Sequence, residues 1–172
     1  MGMMMSAVPQ TLRNLASFWM RTMTTLSKNF TLEEMTYSAT ALRHDLKNIP
    51  NLAQVDNLTM LCNEQMEPVR ALLGVPIHVD SAFRSPEVNE LVGSTAAHSA
   101  HLDGRACDFI PIGMPVREAF DSIRGSSIVY DQLIIEFGVW IHIARSEIGV
   151  MARQQDLVGS RNSEGKWVFS LA

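Results

Sequence analysis

Residues 99–108 read S-A-H-L-D-G-R-A-C-D and bring Ser99, His101 and Asp108 into one short segment. An imidazole nitrogen and a carboxylate oxygen are both good ligands for zinc. The gap from His101 to Asp108 is too long for one helical face and suits a loop running into a strand. Gly104 permits a turn at positive φ, and Ala106 keeps the incoming strand slim. The C-D-F-I run then buries its apolar residues and leaves Asp108 at the strand's entry. Taken alone, these residues make a candidate metal site that wants a third ligand. His98 and Asp103 are the nearest rivals, but both sit in the loop, where facing solvent is the simpler role.

A better third ligand lies in residues 131–143, D-Q-L-I-I-E-F-G-V-W-I-H-I. β-Branched and aromatic residues on either side of Gly138 predict a hairpin. With a period of two, Leu133, Ile135 and Phe137 share one face, and Gln132, Ile134 and Glu136 share the other. On the return strand Ile141 and Ile143 face the core and His142 the opposite side. A three-residue loop is expected to make Glu136 and His142 direct cross-strand partners. A carboxylate beside a metal-bound His is the layout of a zinc hydrolase, in which the ion acidifies water and the carboxylate takes the proton.

The pattern S-x-H-x-x-G-x-A-x-D from Ser99 to Asp108, followed by W-x-H from Trp140 to His142, resembles a known family. It is that of the zinc D-alanyl-D-alanine carboxypeptidases and L-alanoyl-D-glutamate endopeptidases. Their fold is shared with the hedgehog signalling domain and the vancomycin-resistance dipeptidases. The resemblance implies an α+β fold, a small antiparallel sheet with helices packed on one side. It also implies one zinc ion held by His101, Asp108 and His142. A further segment, S-A-F-R-S-P-E-V-N at 81–89, is similar to the family's S-G-Y-R-S-P-x-x-N. It implies that Arg84 contacts substrate and steadies the developing oxyanion, while Ser99 and Ser81 help to hold substrate. L-S-K-N-F-T-L-E-E-M near the start and the stretch from Asn57 to Arg70 resemble the phage and prophage branch, so the likeness spans about residues 26–146.

Two departures stand out. Many members carry the catalytic acid three residues before the last His, where this chain has Val139, which accepts no proton. Glu136, six before, is the substitute, an arrangement that the hedgehog domain and the phage branch resemble. Ala82 and Phe83 stand where the family often has Gly and Tyr, which removes a phenol hydroxyl and keeps the arginine.

The elements that must position these residues follow from local signals. Thr31 and Glu34 form a capping box that opens a short helix to about Ser38. A long helix runs from Leu52 or Asn57 to Leu73, with Leu58, Leu61, Met66, Val69 and Leu72-Leu73 as its apolar stripe. Gly74 stops it and Pro68 kinks it. Val75 to Phe83 reads as a strand with Ile77 and Val79 inward and His78 outward. Ser85 caps a helix with Pro86 at its first position, running to about Val92. Another helix opens at Pro115 and ends at Arg124 before Gly125. Beyond Ser146 the text is loop-like until a closing strand at Lys166 to Leu171. Cys62 and Cys107 read as two reduced, buried thiols, and His44 as a solvated histidine.

The chain has 172 residues, 47% hydrophobic and 19% charged, which suits one soluble domain. A net charge of −4 leaves no nucleic-acid footprint. No apolar run is long enough for a membrane span. Residues 1–28 read as an N-terminal tail, disordered or a short helix, and residues 29–172 as a single zinc peptidase domain. Leu15 to Met20 is too short an apolar core for a secretory signal, so the protein is expected to be cytoplasmic as made. The resemblance implies a peptidoglycan stem peptide as substrate, cut as a carboxypeptidase or an endopeptidase. It also implies action on the cell wall after release or export, with a holin-type pore as one route. A non-catalytic zinc-binding module and a phage structural component with the same fold are the alternatives.

Overall fold

The computed structural model describes residues 24–94 and 99–172. Residues 1–23, most of the expected tail, and the rival ligand His98 lie outside the described residues. From Thr24 the chain is tied down. Thr25 bridges to Thr31, Leu26 and Phe30 are buried, and Ser27 donates to the Glu67 carboxylate at 2.7 Å.

The architecture is α+β, with a six-stranded sheet and helices. In chain order the elements are α1 (Leu32–Met35), α2 (Ala39–Arg43), α3 (Leu52–Leu61), α4 (Glu67–Leu73), β1 (Ile77–Ser81), α5 (Pro86–Leu91), β2 (Ala106–Pro111), α6 (Val116–Arg124), β3 (Gln132–Glu136), β4 (Trp140–Ala144), β5 (Gln155–Arg161) and β6 (Trp167–Leu171). The strands lie in the order β1-β2-β4-β3-β5-β6. Phe109, Leu133, Ile135, Ile141 and Ile143 project from one face of the sheet. They pack there with Leu58, Leu61, Met66 and Val69 of the long helix and with Phe120 and Ile123 of α6. The residues between them in sequence, Asp108, Glu136 and His142 among them, therefore sit on the opposite face.

The structure corrects several expectations. The sheet is not wholly antiparallel, because β3 pairs with β5 in parallel. β5 itself falls where a loop was expected: Q-D-L-V-G-S-R offers only Leu157 and Val158 as apolar residues, too weak an alternation to announce a strand. The hairpin loop does have three residues, but Glu136 then pairs with Trp140, and His142 pairs with Ile134. Glu136 and His142 are thus diagonal neighbours on one face rather than direct partners. Phe137 does not continue the strand. It takes φ 54° beside Gly138 at 70° in the tight turn that closes with Val139 N–H donating to the Glu136 carbonyl.

The first expected helix splits in two. Thr31 accepts from the Glu34 N–H and opens α1, which ends at Met35; Ser38 caps α2 separately. The long helix is not simply kinked at Pro68. Residues Cys62–Met66 form a π-helical turn between α3 and α4, and the Glu67 N–H reaches back to the Cys62 carbonyl. That wider turn ends two residues before Pro68, which has no N–H to offer. It rotates the stripe so that Leu73 is buried and Leu72 exposed. Ser85 caps α5, and Gly74 ends α4 at φ 65°, both as expected.

Gly104 closes the loop that carries His101. Its φ is 71°, and a Cβ there would lie 2.7 Å from the Gln54 carbonyl oxygen. The Gln54 side-chain amide also donates to the Leu102 carbonyl at 2.8 Å, so α3 is docked on the backbone of this loop. Gly104→Ala should therefore lower unfolding stability by about 2 kcal/mol or more, from the left-handed conformation alone and then from the clash. A urea melt measures this as a drop in midpoint at unchanged slope.

Candidate metal centre

The central strands deliver the side chains. Asp108 lies in mid-β2 rather than at its entry, directly across from His142 on β4. On its other flank a β-bulge between Val79 and Ser81 shifts the register of β1 and sets Ser81 opposite Asp108. Without that extra residue Ser81 would share the core-facing side with Val79. His101 arrives from the loop before β2, and its carbonyl accepts from the Arg84 N–H at 3.1 Å.

His101, Asp108 and His142 are all buried, and one ligand atom from each lies within 4.8 Å of the others. His101 Nε2 is 3.2 Å from Asp108 Oδ1 and 3.2 Å from His142 Nδ1, and His142 Nδ1 is 2.7 Å from the same oxygen. His101 Nδ1 lies 2.6 Å from the Ala82 carbonyl oxygen. A carbonyl only accepts, so Nδ1 carries the proton and Nε2 presents its lone pair to the centre. Burial pushes His101 below the ordinary histidine value, which keeps the imidazole neutral. Burial opposes the charge on Asp108, yet the carboxyl stays well below the usual range, with His142 Nδ1 in hydrogen-bond reach of its Oδ1. A neutral imidazole and an ionised carboxylate are the forms that bind a metal. Two nitrogens and one oxygen, convergent and buried, can hold one divalent cation and leave coordination positions for water or substrate.

Arg84 sits beside this centre. Its Nε donates to Ser81 Oγ at 2.8 Å, and one terminal nitrogen donates to Asp108 Oδ2. The guanidinium therefore engages one carboxylate oxygen while the other faces the imidazoles. Glu136 lines the same cavity and is 9% exposed. Burial raises its pKa to about 7, and the Asp108 charge adds to the rise against the pull of His142 and Arg84. Val139, at the position where many relatives of the resembled family carry an acid, is exposed in the hairpin turn. Ser99 lines the cavity. Asp103 is exposed and paired with Arg105, away from the three ligands. The cavity holds about 910 Å³ and reaches across the sheet face, from Arg43 and Val88 on the β1 side to Trp167 and Phe169 on β6.

A family model described as Peptidase M15 matches residues 28–144. The chain belongs to this family. All three candidate ligands, Arg84 and Glu136 fall inside the matched segment, while β5 and β6 lie beyond it. Membership supports a metallopeptidase built on the buried trio. No curated protein matches the chain. Among the described residues no helix is long and apolar enough to cross a membrane.

Sequence reading missed the Ala82 carbonyl that sets the His101 tautomer. It is a backbone atom and leaves no trace in residue type. It also missed the aromatic residues of β6 as cavity wall, because β5 was not foreseen.

An ion that binds only the folded chain should stabilise it. At about a hundred times its Kd it adds about 2.7 kcal/mol, which for a chain of this size raises Tm by roughly 5–10 °C. Calorimetry of the metal-free protein with and without a divalent ion should show this rise, and His142→Ala should abolish it.

Proposed function

We propose that this M15 chain is a zinc-dependent peptidase that cuts the stem peptide of bacterial peptidoglycan. The favoured bond is L-alanoyl-D-glutamate, inside the stem. The observation that carries the reading is a buried carboxylate of raised pKa, Glu136, on the same sheet face as three convergent metal-binding donors. The cavity extends to both sides of that centre, which suits a chain continuing beyond the cut in both directions. A site that trims a single terminal residue needs a closed end instead.

Zinc held by His101, Asp108 and His142 would polarise the peptide carbonyl and make water more acidic. The remaining work falls to the chain's own groups. Glu136 takes the proton of the attacking water and passes it to the leaving amine. Its burial lifts its basicity towards neutral pH, where it still loses its proton readily. Arg84 faces the carbonyl oxygen as negative charge gathers there. Ser81 holds Arg84 in place through the bond to Nε, and so serves substrate through the arginine. Ser99, on the cavity wall, hydrogen-bonds the peptide. The Ala82 carbonyl fixes His101 so that no rotation is needed when substrate arrives.

Glu136→Gln should keep metal binding and lower kcat about a hundredfold to ten-thousandfold, read by mass spectrometry of digested peptidoglycan. Full activity in that variant would remove Glu136 from the role. The wild-type profile of kcat/KM should rise with pH, because protonated Glu136 accepts nothing. A neighbouring cation favours the carboxylate, so the acidic limb should lie at or below about 7.

A further inference from the structure

β6 is an edge strand, and every one of its five residues is exposed. Trp167 is 41% and Phe169 51% exposed, an unusual display for two large aromatic residues on one strand. Their placement is ordered. Register pairs Gly159 with Glu136 on one side and with Phe169 on the other, so the row Trp140–Glu136–Gly159–Phe169 runs across the sheet. Gly159 carries no side chain in that row. A Cβ there would lie 3.2 Å from Phe169 Cε1 and 3.3 Å from Glu136 Cγ, so ring and carboxylate stem converge over it. Phe137 packs on Trp167 at 4.5 Å and on Trp140 at 5.4 Å between ring centroids. The Trp167 and Phe169 rings lie within 25° of parallel. Arg161 covers Trp167 from 5.3 Å and leaves Phe169 open to the cavity. The result is an aromatic wall continuous with the reaction centre.

We infer that this wall, with Phe169 and Trp167 at its centre, is a saccharide subsite that binds the amino-sugar bearing the stem peptide. The inference rests on the stem-peptide reading of the cavity. Alanine and glutamate at the scissile bond offer only a methyl group and an anion, nothing large and apolar to cover two exposed rings. A pyranose does: its axial C–H bonds form a flat, weakly positive face that suits the electron-rich face of an aromatic ring. The sugar is also near enough, because L-alanine is the residue that joins the stem to it. The charges at this end are one of each sign, Glu136 on the cavity side and Arg161 over Trp167, which suits a ligand without net charge.

Two measurements test the subsite. Calorimetric titration with an N-acetylglucosamine tetramer should show binding to the wild type. Phe169→Ala and Trp167→Ala, each checked for folding by circular dichroism, should weaken it roughly tenfold. The second measurement is the ratio of kcat/KM for a stem peptide joined to its disaccharide over the free peptide, in which any general loss of activity cancels. It should exceed one in the wild type and fall towards one in both variants. No tetramer binding by the wild type, or equal binding by folded variants, overturns the subsite. So does a concentration-dependent dimer in sedimentation that Phe169→Ala dissolves without any sugar binding, which gives the wall to a second copy. Tetramer binding that depends on Phe169, with neither peptide cut in the presence of zinc, supports the subsite and sinks the peptidase reading alone.

Discussion

A carboxylate buried in the middle of a β-sheet must be compensated where it stands, or the fold loses several kcal/mol. Asp108 is that group, and the surrounding structure is arranged around its two oxygens. Oδ2 takes the Arg84 guanidinium, and Oδ1 faces both imidazoles. Each partner comes from a different piece of chain: a strand-to-helix junction, a loop and the neighbouring strand. The three long-range connections are therefore set by one charge. The arrangement also explains why the centre suits a cation. Burial works against the Asp108 charge, and a metal ion adds the positive charge that a neutral His101 lacks.

The backbone devices around this charge have specific jobs. The bulge in β1 turns Ser81 away from the core and into line with Asp108, so that its hydroxyl can steady Arg84. Gly104 lets the His101 loop press against the α3 carbonyl of Gln54. The Ala82 carbonyl then takes the one proton that His101 has to place. The π turn lies just before Pro68, so α3 and α4 carry one apolar stripe across the sheet despite a residue with no N–H. Of these four, the bulge alone borders the cleft, through Asp80 and Ser81. All of them fix where a nitrogen or an oxygen ends up.

Much of this was legible in the sequence, and the reasons are local. Period-two alternation on either side of Gly138 told which residues of β3 and β4 face the core. Ser85-Pro86 and Gly74 are capping signals with one physical meaning, and both hold. The convergence of His101, Asp108 and His142 was expected from spacing and family resemblance together. What failed was anything dependent on a neighbour. The pairing of Glu136 with Trp140 depends on how Phe137 turns, and a phenylalanine at positive φ has no signature. β5 has a polar sequence because only part of it is covered, and it becomes a strand by pairing in parallel with β3. A strand made by its partner cannot be read from its own residues.

The same dependence governs how the protein divides its labour. The segment shared with the M15 family ends at Ala144, the last residue of β4, and already contains the ligand trio, Arg84 and Glu136. Residues beyond Ala144 add two strands to an existing sheet edge. Their buried contribution is small, since β6 is exposed throughout, so core packing alone does not account for them. They do change the surroundings of Glu136. The Gly159 carbonyl takes the Phe137 N–H at 2.9 Å, and Phe169 leans over the gap that the glycine leaves. A side chain at 159 would separate Phe169 from Glu136 and split the cavity wall from the candidate metal centre. The missing Cβ is thus the physical link between the candidate metal centre and the aromatic wall beside it.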